Sequence, residues 1–350
     1  MAGEIPPLSD SEKEKKLVLI RQQAEEYGRL NKSGIRPVGA PFPQATPETG
    51  YYGTPILKEP QWKWEIPLYF FVGGAAGASA VIATAAEWVG DDRELARHAR
   101  WVAVGGSAVS SVLLIKDLGR PHRFLNMLRV FKPQSPMSMG SWILAAFSSA
   151  TAAAAFVDWV RLRYGNSLPV RIAGAATKSV STLFALPFSN YTGVLIGATA
   201  IPVWNRNVKT LPIHFEASGV QAAVSILELM GYDGNPSLNA LGIGSAMWES
   251  WEGFQLESNP ETKLEPLKHG TSGWITRAGG VLSGPLPLGL RLWAAFANPR
   301  RARQIRRVAA ISGIAGSVLT RYGWVLAGGA SVRQAAGKPE SKLKKSDSGA

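Results

Sequence analysis

Residues 66–90 read IPLYFFVGGAAGASAVIATAAEWVG, and this stretch decides the fold. It contains one ionisable residue, Glu87, close to its end. A helix of about 20 apolar residues is long enough to cross the roughly 30 Å hydrocarbon core of a bilayer. The stretch lacks the polar positions at 3.6-residue spacing that are typical of a soluble helix. It therefore predicts a transmembrane helix.

Seven more apolar runs follow along the 350-residue chain, and most are rich in Ala, Gly and Ser. Small residues allow helices to approach closely in lipid, and the Trp and Tyr residues at the run ends suit the membrane interface. The predicted fold class is an all-α integral membrane protein with eight transmembrane helices; a soluble Ala-rich helical protein is the alternative. The further runs are residues 99–115, 139–160, 180–204, 211–231, 237–256, 273–297 and 308–330.

Polar segments flank the apolar region on both sides. Residues 1–60 form a polar N-terminal tail, in which residues 11–30 predict a short amphipathic helix. Residues 61–330 form the predicted transmembrane domain, and residues 331–350 form a basic C-terminal tail. The N-terminal tail has no apolar segment of the kind found in a secretory signal peptide, so we expect none.

The formal net charge is +13, and the chain has no cysteine. The basic residues lie in short loops, such as 91–100, 161–171 and 298–307, where they favour contact with anionic lipid headgroups rather than nucleic acid. With eight spans these three loops share one side, which the positive-inside rule makes cytoplasmic. Without cysteine, the chain cannot bind an iron–sulfur cluster through thiolates.

Haem of the b type needs histidine pairs that face each other across helices. The chain has four histidines, and only His214 falls inside a predicted span. The other three lie in loops or at helix ends: His98, His122 and His269. We therefore predict no haem and no metal site.

Several ionisable residues fall inside or near the predicted spans, where they are costly unless they face a cavity or a partner. One interpretation is a proton path; the other is a set of interfacial positions, with residues 237–256 forming a helix at the membrane surface. His214 and Glu216 are two residues apart and so point to different helix faces, whereas Glu249 and Glu252 share one face. The candidates for a proton path are Glu87, His214, Glu216 and Glu249, and the other such residues are Asp158, Glu228 and Glu252.

Residues 116–142, KDLGRPHRFLNMLRVFKPQSPMSMGSW, separate the second and third runs. Gly119 and Pro121 are predicted to end the helix there. The charges that follow fit a loop that contacts lipid headgroups.

This stretch resembles the signature of the NrfD/polysulfide reductase membrane-subunit family. Three other segments agree in order: WEIPLYFFVGGAAGASA resembles that family's first span, SNYTGVLIGATAIPVW its fourth, and RYGWVLAGG its last. The resemblance covers about residues 60–330. It implies eight helices in two four-helix bundles, in a multi-pass protein of the bacterial inner membrane.

The resemblance also implies a function in a respiratory chain. Such a subunit binds an exchangeable menaquinone or ubiquinone without haem. It exchanges electrons with a ferredoxin-like iron–sulfur subunit, which commonly serves a molybdopterin catalytic subunit.

A quinone headgroup needs hydrogen-bond partners and a group that accepts protons. We expect Tyr69, Tyr191, Asp117 and His122 to bind the quinone, and Arg120 and Arg123 to contact the iron–sulfur partner. Two alternatives stay open. One is a transporter or ion-translocating subunit that uses intramembrane acidic residues, and the other is a structural anchor for a peripheral redox enzyme.

Overall fold

The computed structural model describes residues 57–335, except the side chain of Pro121, and four isolated positions nearer the N-terminus. These four positions are helical and exposed: Lys15, Val18, Leu19 and Gln22. They belong to a first unit, Met1–Ile56. The rest of the predicted amphipathic helix of residues 11–30 lies outside the described residues.

The second unit begins at Leu57. Within its described residues it consists of helices and connections and contains no strand, so the predicted all-α class is confirmed. Its first four long helices are α1 (Glu65–Trp88), α2 (Arg93–Asp117), α3 (Pro136–Tyr164) and α4 (Leu168–Gly197).

Local signals in the sequence fix the ends of these helices. The Asp92 side chain caps α2 by accepting a hydrogen bond of 3.0 Å from the backbone amide of Leu95. Gly165, whose φ of 93° favours glycine, ends α3. A 3₁₀ helix, Pro121–Leu128, lies in the connection between α2 and α3.

The remaining helices vary more in length. α6 continues into a π-helical turn at Glu228–Tyr232, and a short 3₁₀ helix, Thr262–Leu264, precedes α8. The helices are α5 (Pro202–Arg206), α6 (Leu211–Leu227), α7 (Pro236–Ser258), α8 (Glu265–Lys268), α9 (Gly270–Ser283), α10 (Pro285–Ala295) and α11 (Pro299–Ala335).

The run predicted as one helix over residues 273–297 is divided into α9 and α10. The backbone leaves the helical region at Gly284, and Pro285 follows it. Because proline has no amide hydrogen and its ring clashes with the preceding turn, it starts a helix more readily than it continues one. The single helix predicted there is therefore wrong in this detail.

Three of the described helices, α1, α2 and α3, are long and apolar enough to cross a membrane by length and composition. α4 carries Arg171 and Lys178, while α6, α9 and α10 have 17, 14 and 11 residues. About 20 residues are needed for a complete crossing. The number of eight spans therefore stays a prediction.

Small residues bring α1 into close contact with its neighbours. A Cβ atom on Gly106 of α2 would lie 2.7 Å from Cβ of Ala76, and one on Gly77 would lie 2.8 Å from Cβ of Ser189 in α4. Real Cβ atoms do not approach so closely, so larger residues would push these helices apart. The GGAAGASA segment thus lets α1 pack closely against α2 and α4.

The packed helices have a polar level at either end, and we call these two levels the first end and the second end. At the first end, Lys116 of α2 lies 3.5 Å from Glu65 of α1, and the Tyr322 hydroxyl of α11 donates to the Trp64 carbonyl at 3.1 Å. At the second end, Arg100 of α2 pairs with Glu87 of α1 at 2.9 Å. The apolar core lies between these two polar levels.

Candidate functional site

Four polar side chains lie where α1, α2 and α4 reach the first end: Glu65, Tyr69, Asp117 and Tyr191. We call them the first-end cluster. Tyr69, Tyr191 and Glu65 are buried, with 2%, 5% and 6% of their surface exposed, and Asp117 is half-buried. The two phenols are within electrostatic reach of each other, and so are the two carboxylates. The cluster therefore combines two donors and two acids at one level.

Aromatic side chains from three helices line the core beside this cluster. Phe147 of α3 stacks on Phe188 of α4 with ring centroids 4.7 Å apart, and Phe70 of α1 lies beside Tyr69. All three phenylalanines are fully buried. An apolar slot with a few polar groups is the usual surrounding of a small organic ligand.

Contacts with α3 fix the position of Tyr191. Its hydroxyl donates a hydrogen bond to the backbone carbonyl of Pro136. Its ring lies against Gly140, where a Cβ atom would come within 2.2 Å of the ring carbons. The absence of a side chain at Gly140 therefore makes room for the phenol, whose oxygen keeps the capacity to accept a hydrogen bond.

Glu65 was missed by the sequence reasoning because it stands one residue before the apolar run. Its Oε1 atom lies 3.5 Å from Nζ of Lys116, but Oε2 is buried and has no hydrogen-bond partner among the residues that the structure describes. A buried acceptor without a partner is costly and is a candidate to bind a ligand. The spacing of four residues between Glu65 and Tyr69, which puts both on one helix face, could have identified it.

The structure does not bury the other predicted residues of the loop. His122, Arg120 and Arg123 are exposed on or beside the 3₁₀ helix Pro121–Leu128. His122 therefore differs from Tyr69 and Tyr191, which are inside the protein. The three exposed side chains suit contact with a partner or with water.

Glu87 belongs to a separate group of charges at the second end. Its carboxylate lies 2.7 Å from Lys178, 2.9 Å from Arg100 and 3.6 Å from Arg161. Asp158 pairs with Arg100 and lies 2.9 Å from Lys178. Glu87 is thus held in ion pairs by three cations, which stabilise its charged form.

One face of α6 and its π-helical extension is polar along its whole length. His214, Ser218, Gln221, Ser225 and Glu228 recur at intervals of four and three residues, which puts them in one line. We call this line the α6 stripe. All five are buried or nearly so, and the line spans about 21 Å at 1.5 Å per residue.

Polar residues of other helices contact the α6 stripe at three levels. Near the first end, Nδ1 of His214 lies 2.5 Å from Oε2 of Glu252 in α7. At mid-length, the hydroxyl of Ser245 donates to Gln221 at 2.6 Å. Near the second end, Glu228 accepts two hydrogen bonds of 2.5 and 2.8 Å from Arg291 of α10.

Glu216 and Glu249 lie off the stripe on either side of Arg321. Glu216 accepts a hydrogen bond from the hydroxyl of Ser189, and Glu249 accepts one of 3.0 Å from Ser283. Both carboxylates interact electrostatically with the Arg321 guanidinium, which is fully buried. Among the predicted proton-path residues, Glu216, Glu249 and His214 are therefore within electrostatic reach of one arginine, whereas Glu87 lies in the charge group of the second end.

Arg291 and Arg321 also escaped the sequence reasoning, which considered acidic residues and histidine. Each is an arginine inside a predicted apolar run, and both side chains are fully buried. An intramembrane arginine needs a partner, so the nearest buried acid could have been sought for each. The structure supplies Glu228 for Arg291. Arg321 donates to the Phe215 carbonyl at 2.8 Å, and Glu216 and Glu249 are within electrostatic reach of it.

A cavity of about 1370 Å³ opens at the first end between α6, α7, α9 and α11. His214, Glu249 and Glu252 line it, together with Trp251 and Trp324. We call it the α6–α7 cavity.

Basic residues lie at the rim of this cavity, and one of them holds an acidic neighbour charged. Arg206 and Lys263 are part of the lining, and Arg206 pairs with Glu261 in the connection after α7. The hydrogen bond from the Arg206 guanidinium holds the pKa of the Glu261 carboxyl below its usual range.

The donor groups at these sites suit an organic ligand. Within residues 57–335 and the four described positions before them, no group of three or more His, Asp or Glu residues is arranged to hold a metal ion. The first-end cluster instead offers phenols and carboxylates beside fully buried aromatic side chains. This combination fits a headgroup that both donates and accepts hydrogen bonds.

Comparisons with known proteins give the family of this chain. A comparison with curated proteins returned no match. The sequence family described as polysulphide reductase, NrfD, matches residues 57–232, which is half of the chain and includes the whole first-end cluster. The chain therefore belongs to the NrfD family, whose members are membrane subunits of respiratory oxidoreductase complexes.

Proposed function

We propose that this chain binds quinone or quinol at the first-end cluster and exchanges electrons with an iron–sulfur partner subunit. The observation that carries the proposal is the buried Oε2 atom of Glu65, an acceptor without a partner in the described part of the chain, beside two buried phenols. Membership of the NrfD family supports it, since the matched residues hold this cluster.

Each residue of the cluster has a separate role in this proposal. A bound quinone supplies a ring that takes up or releases two electrons and two protons. Tyr69 donates a hydrogen bond to one of its oxygens. Tyr191, whose hydroxyl donates to the Pro136 carbonyl, accepts a hydrogen bond from the quinol, and Glu65 accepts a proton from it. Asp117, which is half-buried at the end of α2, connects Glu65 with water at the first end. Menaquinone and ubiquinone both meet these requirements.

The proposed architecture is eight spans in two four-helix bundles within the bacterial inner membrane. α1 to α4 form the first bundle. α6, α7, the divided pair α9 and α10, and α11 form the second. A divided helix in a membrane needs its free backbone groups satisfied by protein or by a cavity. Gly280 and Pro285, on either side of the division, line the α6–α7 cavity, which supports this arrangement.

The proposed partner is a ferredoxin-like iron–sulfur subunit, which in turn serves a molybdopterin catalytic subunit. It would dock on the exposed loop that carries Arg120, His122 and Arg123, because this loop lies directly beside Asp117 and the first end. Exposed cations at a docking surface steer an acidic partner and set its association rate.

Charge reversal tests the docking surface. We expect Arg120→Glu with Arg123→Glu to weaken co-purification of the iron–sulfur subunit by about tenfold or more, since like charges facing each other cost several kcal/mol. The control is Arg129→Glu, which changes an exposed arginine just after the same 3₁₀ helix. The measurement is the ratio of iron to tagged chain after affinity purification. Equal losses in both variants would contradict a specific role for Arg120 and Arg123.

A second candidate function is proton transfer along the α6 stripe. The observation in its favour is the line of buried polar side chains from the Glu252–His214 pair to the Glu228–Arg291 pair. The hydroxyls of Ser218 and Ser225 have no partner in the described part of the chain, so the route requires water between them. Gln221 is the middle member, and we expect Gln221→Leu to stop proton uptake into proteoliposomes while quinone-dependent electron transfer continues. If proton uptake persists in this variant, the stripe is not the route.

A further inference from the structure

We propose that the α6–α7 cavity is a second binding site for an isoprenoid quinone, separate from the first-end cluster. The inference rests on the proposed function because it takes the same class of ligand. The site itself lies on different helices. The cavity lies between α6, α7, α9 and α11, whereas the first-end cluster lies on α1, α2 and α4. The two sites therefore share no residue.

The size of the cavity suits a long amphiphile. Its volume of about 1370 Å³ exceeds the roughly 300–1,000 Å³ that drug-sized ligands occupy. It has room for an aromatic headgroup with part of an isoprenoid chain. A proton or a metal ion would not need such a space.

The floor of the cavity carries polar atoms that lack protein partners. Nε2 of His214 and Oε1 of Glu249 are both buried, and neither finds a hydrogen-bond partner in the described part of the chain. Both residues line the cavity, and Glu249 is 2% exposed. His214 is held in place through its other nitrogen by Glu252, at 2.5 Å. A histidine nitrogen and a carboxylate oxygen together suit a ring oxygen that alternates between carbonyl and hydroxyl.

Aromatic side chains line the cavity from its floor to its lipid-facing side. The Trp324 ring lies 5.9 Å from that of His214, at the floor. Trp251, Phe254 and Val281 also line the cavity and are 52%, 69% and 54% exposed. Exposed apolar side chains on membrane helices face lipid, so this side gives an apolar route from the bilayer to the floor.

The acids at the floor decide between a quinone and a phospholipid. A phosphate headgroup would bring negative charge next to the carboxylates of Glu249 and Glu252, which is unfavourable in a buried place. A quinone headgroup is neutral in both its oxidised and its reduced form. The floor of the cavity therefore favours a neutral headgroup, whereas the lining cations Arg206, Lys209, Lys263 and Arg277 are exposed. Competition between quinone and phosphatidylglycerol tests whether those cations bind a phosphate instead.

Photolabelling of the full chain in nanodiscs tests this inference. The probe is a short-chain azidoquinone, and labelled peptides are identified by mass spectrometry. We expect labels on α7 around Trp251–Gln255, in addition to labels near Tyr69 or Tyr191. We also expect Gly280→Phe to remove the α7 label, because Gly280 lines the cavity and a Cβ atom there meets nothing within 4 Å.

Gly289→Phe is the matched control, since Gly289 is exposed, does not line the cavity and is equally unobstructed. The Gly289→Phe variant should keep the α7 label. The labelling map of the wild-type chain should also show it, and that measurement does not depend on the folding of any variant. Labels confined to α1, α4 and the loop after α2 would overturn the second site and leave the proposed function standing. No label anywhere would overturn both. Displacement of the α7 label by phosphatidylglycerol, but not by unlabelled quinone, would show a lipid site and overturn the inference.

Discussion

Replacing Arg291 by methionine should cost about 3–5 kcal/mol of unfolding free energy, because it leaves the Glu228 carboxylate buried without its counter-charge. Arg291 and Glu228 are fully buried, and two hydrogen bonds of 2.5 and 2.8 Å join them. The guanidinium lies against Gly242 and also donates to the Asn239 side chain at 3.3 Å. The measurement is unfolding of the purified chain by SDS, followed by far-UV circular dichroism.

Two further variants separate loss of the ion pair from loss of an arginine in general. Arg277→Met breaks a pair with Glu257 in which both side chains are 43% exposed, and it should cost about 0–1 kcal/mol. Glu228→Leu combined with Arg291→Met should recover most of the stability, because two apolar residues can replace a buried pair. If Arg291→Met and Arg277→Met lower the unfolding free energy by the same amount, Glu228 is not a buried carboxylate whose charge Arg291 balances.

Replacing Glu65 by glutamine should lower quinol-dependent turnover of the complex about 100-fold, which is the usual contribution of a proton acceptor. Glutamine has nearly the shape of glutamate but accepts no proton, so kcat should fall while KM changes little. The stability of the folded chain should be unaffected. The ion pair that the variant loses, Glu65 with Lys116 at 3.5 Å, involves a lysine whose side chain is 56% exposed. The measurement is steady-state quinol oxidation by the purified complex.

The control for this variant is Glu59→Gln, an exposed acid near the start of the described region that pairs with Arg333 at 3.1 Å. It should leave turnover unchanged. A loss in Glu65→Gln that falls entirely on KM, or an equal loss in Glu59→Gln, would contradict the role of Glu65 as proton acceptor.

The helices were largely predictable from the sequence, because each long apolar run meets clear signals at its ends. Gly119 and Pro121 end α2, and Pro136 begins α3. The division at Gly284 was not predicted, since residues 273–297 are mostly apolar and hydropathy does not register a backbone break. Pro285 was the one available signal.

The candidate site was predictable only in part. Tyr69 and Tyr191 were found through the family resemblance, and the structure buries both within electrostatic reach of each other. Glu65 and Arg321 were missed, because their roles depend on burial and on partners far away in the chain; the spacing of Glu65 from Tyr69 and the place of Arg321 in an apolar run were the available signals. The α6–α7 cavity likewise requires four helices to be placed together before it exists.

The most direct test of the central claim is reduction of the partner's iron–sulfur clusters by quinol through this chain. The purified complex is mixed anaerobically with a short-chain quinol, and cluster reduction is followed by electron paramagnetic resonance. The account predicts rapid reduction in the wild-type complex and strongly slowed reduction in Tyr191→Phe and Asp117→Asn, with the clusters still present. Wild-type clusters that stay oxidised in the presence of quinol and stay reduced in the presence of quinone would contradict it.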